Sequence, residues 1–286
     1  MGAFVIAIVY FSLAPGPDDE EVVTGTGDKI ALVELKGEII ESSDIVRQIK
    51  KYREESDIKG ILLRVDSPGG GVVASHEIYE EVRKTRDEGK PIVVSMGSLA
   101  ASGGYYVSVG ASRIVANPGT LTGSIGVISE FMRYDPLLSK IGVEETTIKS
   151  GKLKDAGSPY REMTEEDKEY FQSLMDDVHR QFIAIVEKER KLDHDSLLAF
   201  ADGRVFTGEQ AKKLKLVDTL GTFEDAITIT SRLSGIRGKA AIVHEEKHKH
   251  GLLDLLLGET RVSGLDKLQA EFLHQPLLQY KMGHGY

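Results

Sequence analysis

The sequence predicts an α/β fold in which a mostly parallel β-sheet is stacked beneath covering helices. Short apolar runs at 60–65 and 92–96 alternate with longer segments of helical periodicity. This strand–helix alternation is typical of a parallel sheet whose crossover helices pack on its faces. Two glycine-rich stretches, 66–71 and 97–104, directly follow the two apolar runs. They are therefore expected at the carboxyl ends of neighbouring strands, where open α/β sheets bind their ligands.

The first part of the chain predicts three strands separated by two helices. Ile45, Ile49 and Tyr52 recur at helical spacing, as do Ile78 and Val82 further on. The predicted segments are a strand at 29–35, a helix from Ser42 or Ser43 as the cap to about Glu55, a strand at 60–65, a helix at 72–86 and a strand at 91–96.

The second part predicts more helix. The longest helix begins at Thr164 and reaches about Arg190, with Asp167 in the position of a capping box. Its apolar stripe consists of Phe171, Leu174, Val178, Phe182, Ile185 and Val186. The remaining segments are a short helix after Ser102, a strand at 113–116, a helix near 132–140, a strand at 144–149, helices near 207–215 and 222–233, and a strand at 240–244.

Composition excludes several classes of function. The 286 residues and 41% hydrophobic content fit one large domain, with or without extensions. Lys and Arg number 36 against 45 Asp and Glu, for a net charge of −9, and no basic patch indicates a nucleic-acid partner. Cysteine is absent, which excludes disulfides and thiolate metal sites.

The two ends of the chain differ from its middle. Residues 2–14 are almost wholly apolar and are followed by a Pro/Gly-rich acidic stretch, yet the run is shorter than the ~20 residues of a spanning helix. We interpret 1–14 as part of a membrane anchor, in preference to a core helix, and 15–28 as a linker on the non-cytoplasmic side. Residues 246–286 form a C-terminal extension. From 258 it is expected to be a flexible end, with a docking strand or a self-processed segment as alternatives.

Ser102 is the first candidate for chemistry. It lies between an apolar strand and a helix start, where outward-pointing N–H groups favour negative charge. Gly103 leaves room for a ligand backbone, and Gly69 and Gly70 offer further N–H groups from the other loop. A nucleophile that generates an oxyanion suits this position. A tightly packed helix start of small residues is an equally good reading of the segment alone.

A serine nucleophile needs a base, and none of the eight histidines has the local context of a triad. His244, His248 and His250 form a polar cluster that is read as a solvated loop rather than a weak metal site, so no metal or cofactor is predicted. Lysine is the alternative, because burial lowers its pKa and leaves a neutral amine. Lys152 and Lys154 lie in a glycine-flanked loop, where exposed lysines would be the ordinary interpretation.

Five groups of short motifs stand out along the chain. They are DSPGG at 66–70, ASGGYY at 101–106, TGSIGV at 122–127, SGKLKD at 150–155, and GRVFTG at 203–208 with LVD at 216–218. Each motif is weak alone. Taken together, and in this order over roughly residues 29–226, they resemble the motifs of the signal peptide peptidase A family of Ser–Lys membrane proteases.

This resemblance implies a role for each matched residue. Ser102 would be the nucleophile and Lys154 the general base, with Ser124 holding the lysine amine by a hydrogen bond. Gly69 would supply one oxyanion N–H, and the Gly103 N–H is a plausible second donor. The peptidase domain would then span 29–245 and share its fold with the Clp protease and crotonase group.

The resemblance also implies a biological setting. Half-length members of the family, which carry the motif pattern once as this chain does, assemble into rings or domes at the membrane, with active sites at subunit interfaces. Lys154 could therefore serve either its own Ser102 or a neighbour's. The implied substrates are cleaved signal peptides and other peptides in or near the membrane, handled by an extracytoplasmic catalytic domain. An acyl-CoA enzyme of the crotonase type and a non-catalytic membrane scaffold are the rival interpretations.

Overall fold

The computed structural model describes residues 20–246 and 278–282. Its strands are β1 (Glu20–Thr24), β2 (Lys29–Lys36), β3 (Ile58–Ser67), β4 (Gly69–Gly71), β5 (Ile92–Ala101), β6 (Arg113–Ala116), β7 (Leu121–Gly123), β8 (Val205–Thr207), β9 (Thr219–Leu220), β10 (Ala241–Glu246) and β11 (Gln279–Lys281). Its helices are α1 (Ser43–Glu54), α2 (Val72–Asp87), α3 (Gly103–Ser108), α4 (Asp135–Lys140), α5 (Glu165–Arg190), α6 (His194–Leu198), α7 (Gly208–Lys213) and α8 (Phe223–Leu233).

The main sheet has the strand order β1-β10-β2-β3-β5-β6-β9, and all pairs except β1 with β10 are parallel. Both faces of its centre are buried. Ile61 and Leu63 of β3 belong to the larger core, under α1, α2 and α5, while Leu62 between them belongs to the smaller core under α8. Successive side chains of a strand point to opposite faces, so burial of both faces requires the continuous apolar run seen in the sequence.

The active-site region is formed where β5 extends beyond the main sheet. Its first half pairs with β6, whereas its last residues, Leu99 to Ala101, pair in parallel with β7. β7 in turn pairs antiparallel with β8. On the other side, β4 pairs antiparallel with β11. These short strands bring the ends of several segments to one edge, next to the start of α3.

Most of the predicted elements are confirmed, with ends shifted by a few residues. The predicted α/β class and mostly parallel sheet are observed. The capping box at the start of α5 is present, with Thr164 accepting from the Asp167 N–H and Asp167 accepting from the Thr164 N–H. Ser42 stands at the N-cap of α1, but its side chain makes no capping hydrogen bond.

The strand predicted at 144–149 is wrong. Those residues have no regular secondary structure, and Ile148 is 96% exposed. The alternating pattern there finds no partner strand, and without one a strand cannot satisfy its backbone. The helix predicted at 132–140 is also shorter, because it begins at Asp135 with a proline in its first turn.

The predictions at the chain ends fall largely outside the described residues. The anchor at 1–14 and most of the extension lie there, so the domain limits stay predictions. Among residues 20–246 and 278–282, no helix is long and apolar enough to cross a membrane. Residues 279–281 form a strand, so the flexible end expected for the tail is wrong at that position.

Candidate active site

Ser102 stands at the junction of β5 and α3 in an unusual backbone conformation. Its φ of 52° is one of few positive values at non-glycine residues. The conformation is held by two bonds, from the Ser102 N–H to the Gly123 carbonyl at 2.8 Å and from the Tyr106 N–H to the Ser102 carbonyl at 2.8 Å. Strain maintained in this way is concentrated at functional sites. The side chain is buried, and its Oγ has no hydrogen-bond partner among the described residues.

Ser124 occupies the equivalent position on the neighbouring strand. Ala101 and Gly123 are paired across β5 and β7, so Ser102 and Ser124 each follow one member of the same pair. Ser124 also has a positive φ, 53°, and its N–H donates to the Arg204 carbonyl at 2.9 Å. The structure therefore brings these two predicted serines together at one edge of the sheet.

The two glycines predicted to form the oxyanion site are in direct contact. A Cβ atom at Gly69 would lie 2.6 Å from the Gly103 nitrogen, and one at Gly103 would lie 3.1 Å from the Gly70 nitrogen. Gly69 itself has a φ of +101°, which favours glycine. Its N–H donates to Ser67 Oγ at 3.1 Å. The loop thus places backbone nitrogens beside Ser102, while the oxyanion role of each stays a prediction.

Substitution of Gly69 by alanine tests this loop. We expect kcat/KM for peptide hydrolysis to fall by about 10²–10³-fold, the usual effect of losing an oxyanion donor, because the new methyl group would displace the Gly103 nitrogen. Gly89→Ala is the matched control, since Gly89 has a φ of +92° but no atom within 4 Å of an added Cβ. Both variants should lose thermal stability through the positive φ, and Gly69→Ala should lose more, because its Cβ would also lie 1.9 Å from the Tyr280 carbonyl oxygen. Equal activity of the two would contradict the assignment.

Lys154 makes no hydrogen bond to Ser102 within the described residues. It is exposed on a series of turns, and its N–H donates to the Gly151 carbonyl at 3.1 Å. Nearby lysines are engaged, Lys149 with Asp155 and Lys152 with Glu166. By contrast, within the described parts of the chain the Lys154 ammonium has no ion-pair or hydrogen-bond partner, Ser102 included. One subunit does not supply the burial on which a lysine base depends.

The turns that carry Lys154 are anchored by Arg161. Its guanidinium donates to both carboxylate oxygens of Asp155, at 2.9 and 3.0 Å, and to Asp167 at 2.5 Å. The pKa values of both carboxyl groups lie well below their usual range. Arg161 is the main cause, and the other hydrogen-bond donors to these carboxylates add to its effect. These ion pairs therefore contribute fully above about pH 4, the ordinary aspartate value, and are lost only as the pH falls further.

Arg161→Met should misplace Lys154 without unfolding the protein. We expect kcat/KM to fall by about 10–100-fold, since a shift of an ångström in a catalytic group has effects of this order. Arg180→Met removes a more exposed arginine ion pair, with Asp177 on α5, and should leave kcat/KM near the wild-type value. Peptide hydrolysis and a melting curve for each variant measure this. Wild-type activity in Arg161→Met would show that the turns need no anchor.

A strand from the tail, which the sequence analysis gave only as an alternative to a flexible end, covers the glycine loop. β11 runs antiparallel to β4 with Tyr280 opposite Gly70, and the Met282 N–H donates to the Pro68 carbonyl at 3.0 Å. On its other edge, Gln279 exchanges two backbone hydrogen bonds with Ile128, at 3.0 and 3.2 Å. The alternation of apolar and polar residues over 278–282 was the available signal, but it is too short to be distinctive.

Tyr280 fills an aromatic pocket beneath this strand. It is 1% exposed, and its ring centroid lies 4.8 Å from that of Tyr106 and 4.7 Å from that of Phe182. The Tyr106 hydroxyl also contacts His76 Nδ1 at 2.9 Å. Burial raises the pKa values of Tyr106 and Tyr280 well above their usual range, so both hydroxyl groups stay protonated.

Two histidines lie close to the site residues. His76 is exposed on its helix and contacts Tyr106. His179 is half-buried, and its Nε2 is enclosed without a partner among the described residues. It lines a cavity of about 340 Å³ together with Ser124 and Lys281. His248 and His250 lie outside the described residues.

Comparison with known proteins identifies the class of this site. The sequence matches the profile of peptidase family S49 over residues 84–237 and that of Clp protease over residues 29–118. The chain belongs to peptidase family S49, and its α/β fold is of the Clp protease type. It is thus a serine peptidase, as the motifs at 66–70 and 101–106 indicated, rather than an acyl-CoA enzyme.

Individual relatives agree with this classification. A Methanocaldococcus jannaschii protein, provisionally named a protease, is 37% identical to this chain over 270 residues. The match covers 89% of this chain and 85% of that protein. A similarly named Synechocystis protein is 44% identical and covers 74% of this chain and 77% of its own length. A provisional signal peptide peptidase of Enterococcus faecium is 42% identical, covering 64% of this chain and 54% of that protein.

Proposed function

We propose that the protein is a membrane-associated endopeptidase that degrades cleaved signal peptides and other apolar peptides by means of a Ser102–Lys154 dyad. The observation that carries the proposal is the position of Ser102. Its buried, unpartnered Oγ lies at a strained strand–helix junction, with Ser124 on one side and the Gly69 loop on the other. A buried hydroxyl without a hydrogen-bond partner destabilises the fold, and a catalytic role is one reason for such a group to be retained.

The reaction proceeds through an acyl-enzyme. The neutral amine of Lys154 takes the Ser102 proton as Oγ bonds to the substrate carbonyl carbon, and the resulting oxyanion accepts from the Gly69 and Gly103 N–H groups. The lysine then gives the proton to the leaving amine as the C–N bond breaks. A water molecule, deprotonated by the same lysine, attacks the ester carbon. As the C–Oγ bond breaks, the lysine returns that proton to Ser102 Oγ and the acyl group leaves as a free carboxyl group. Ser124 holds the lysine amine by a hydrogen bond.

Lys154 serves the Ser102 of a neighbouring subunit in this proposal. Within the described part of one chain, Lys154 is exposed and makes no hydrogen bond to the buried Ser102. The segment before it carries several exposed apolar side chains, a feature of surfaces that bind other proteins: Met132, Leu137, Ile141, Val143 and Ile148. A homo-oligomer that buries this surface would also desolvate Lys154, lowering the cost of its neutral form.

Two features support an apolar peptide as substrate. β4 pairs with an extended segment, which is how peptides add to an open strand. At one end of that segment, beside Leu278, lies a cavity of about 610 Å³ lined by Ile40, Val72, Val73 and Ala74 among others. Such a cavity suits the side chains of a signal peptide. Membrane association rests on the apolar stretch at 2–14, outside the described residues.

A serine-reactive probe tests the proposal. A fluorophosphonate or a β-lactam should label the intact protein at one residue, identified by mass spectrometry as Ser102. An internally quenched apolar peptide should be cleaved by the same preparation, and labelling should stop the cleavage in proportion. A non-catalytic scaffold predicts neither result. Labelling at another residue, or no labelling with any such probe, would overturn the proposal.

A further inference from the structure

The segment 278–282 lies between β4 and Ile128, and the proposed function places the substrate peptide in the same groove. Its backbone is bonded along both edges, to β4 on one side and to Ile128 on the other. Tyr280 points inward to the pocket formed with Tyr106 and Phe182. Side chains alternate along a strand, so the residue that follows Tyr280 must point the other way. The environment of that residue, Lys281, shows what the groove offers to this position of a bound peptide.

Lys281 forms an ion pair with Glu38, a residue next to the glycine loop. Its Nζ lies 3.1 Å from Glu38 Oε2, and the two side chains are only 11% and 26% exposed. The backbone on both sides of Glu38 is bonded to this loop, because the Gly37 N–H donates to the Asp66 carbonyl at 3.0 Å and the Ile39 N–H to the Gly69 carbonyl at 2.8 Å. The backbone of Glu38 is therefore held beside the loop, and its side chain reaches Lys281 from there.

Other charges near Lys281 favour a cation as well. Lys281 lines the cavity beside Ser124, and the carboxylates of Asp176 and Asp202 line the same cavity. Arg204 pairs with Asp202, whereas Asp176 accepts from the neutral Gln172 amide. The groups facing this position thus carry more negative than positive charge, with His179 as the remaining titratable side chain. A negatively charged or uncharged side chain would leave the half-buried Glu38 without its partner.

We propose that Glu38 is a specificity-determining residue that selects a lysine or arginine directly after a large aromatic residue in the bound peptide. The aromatic side chain enters the pocket of Tyr106 and Phe182, and the next side chain pairs with Glu38 at the opposite face of the strand. This inference rests on the proposed peptidase function. It adds a charged position beyond the largely apolar cavity beside Leu278.

Competition between peptides tests this proposal. Synthetic peptides with the sequence of residues 276–286, carrying Lys, Gln or Glu at the position of Lys281, compete with a quenched apolar reporter peptide for the intact protein. We expect the Lys peptide to inhibit with a Ki about fivefold below that of the Gln peptide, the effect of one partly screened ion pair, and the Glu peptide to be weakest. A competitor reports binding whether or not it is cleaved.

Variants of Glu38 make the test specific. In Glu38→Gln the three Ki values should converge, and in Glu38→Lys the order of the Lys and Glu peptides should reverse. The ratio of two Ki values within one variant cancels any competition from the protein's own tail. Glu34→Gln is the control, since Glu34 pairs with Lys36 and should leave the ratios at their wild-type values.

The possible failures are distinguishable. If the reporter is not hydrolysed and no serine probe reacts, the proposed function itself fails. If the reporter is hydrolysed but the wild-type protein binds all three peptides equally, or if Glu38→Lys still prefers the Lys peptide, the peptidase assignment stands and the role of Glu38 is overturned.

Discussion

Ser102→Ala is expected to lower kcat/KM for peptide hydrolysis by at least about 10⁴-fold, the effect of removing the nucleophile from a serine enzyme. The loss follows from chemistry rather than packing. Without Oγ no acyl-enzyme forms, and the lysine has no proton to take. The variant should also lose all labelling by a serine-reactive probe. Steady-state hydrolysis of a quenched peptide and mass spectrometry of the probe-treated protein measure the two effects.

The same variant should keep its fold. Ser102 Oγ makes no hydrogen bond within the described chain, so its removal breaks none, and the free energy of unfolding should change by less than about 1 kcal/mol. Alanine accepts the positive φ of this position about as poorly as serine.

Ser108→Ala is the matched control. Ser108 is equally buried in the same short helix, but its Oγ donates to the Gly104 carbonyl at 2.6 Å. That variant should lose some stability and retain hydrolysis. Labelling that survives Ser102→Ala would assign the nucleophile elsewhere.

The sequence was informative wherever burial imposes a pattern. β3 and β5 were predicted because both of their faces are covered, which leaves only apolar residues over several positions. Because Gly69 and Ser102 directly follow these two buried strands, their position at one end of the sheet could be predicted from local sequence alone. Strands β4, β7 and β9 have only two or three residues and were missed, because so short a segment shows no periodicity.

The rest of the site depends on contacts between distant segments. β11 pairs with a strand more than 200 residues earlier, a contact that no local pattern encodes. Glu38 acquires a role only because Ile39 bonds to the glycine loop and Lys281 arrives opposite it. Lys154 was predicted from a motif. The structure places it on an exposed loop, and the surrounding sequence contains nothing that would bury it. What buries it lies beyond one subunit in our proposal.

Lys154→Met is expected to lower kcat/KM by about 10²–10⁴-fold, the range for loss of a general base. Methionine keeps the unbranched length and removes only the amine, so the exposed turns should fold normally. Lys152→Met is the control two residues away, where the ion pair with Glu166 is largely exposed and contributes little. Steady-state hydrolysis of the quenched peptide measures both variants, and equal activity of both would remove Lys154 from the dyad.

A mixture of the two inactive variants separates the two possible dyads. If each site takes its serine from one subunit and its lysine from the next around a ring, random co-assembly of Ser102→Ala with Lys154→Met gives about a quarter of the interfaces both intact groups. Hydrolysis by the co-expressed, doubly tagged assembly should therefore recover to about a quarter of the wild-type value per site. If each subunit uses its own pair, no combination of these chains contains an intact dyad. A mixture as inactive as either parent would place the lysine in the same chain as the serine, and would require the turns around Lys154 to move towards Ser102.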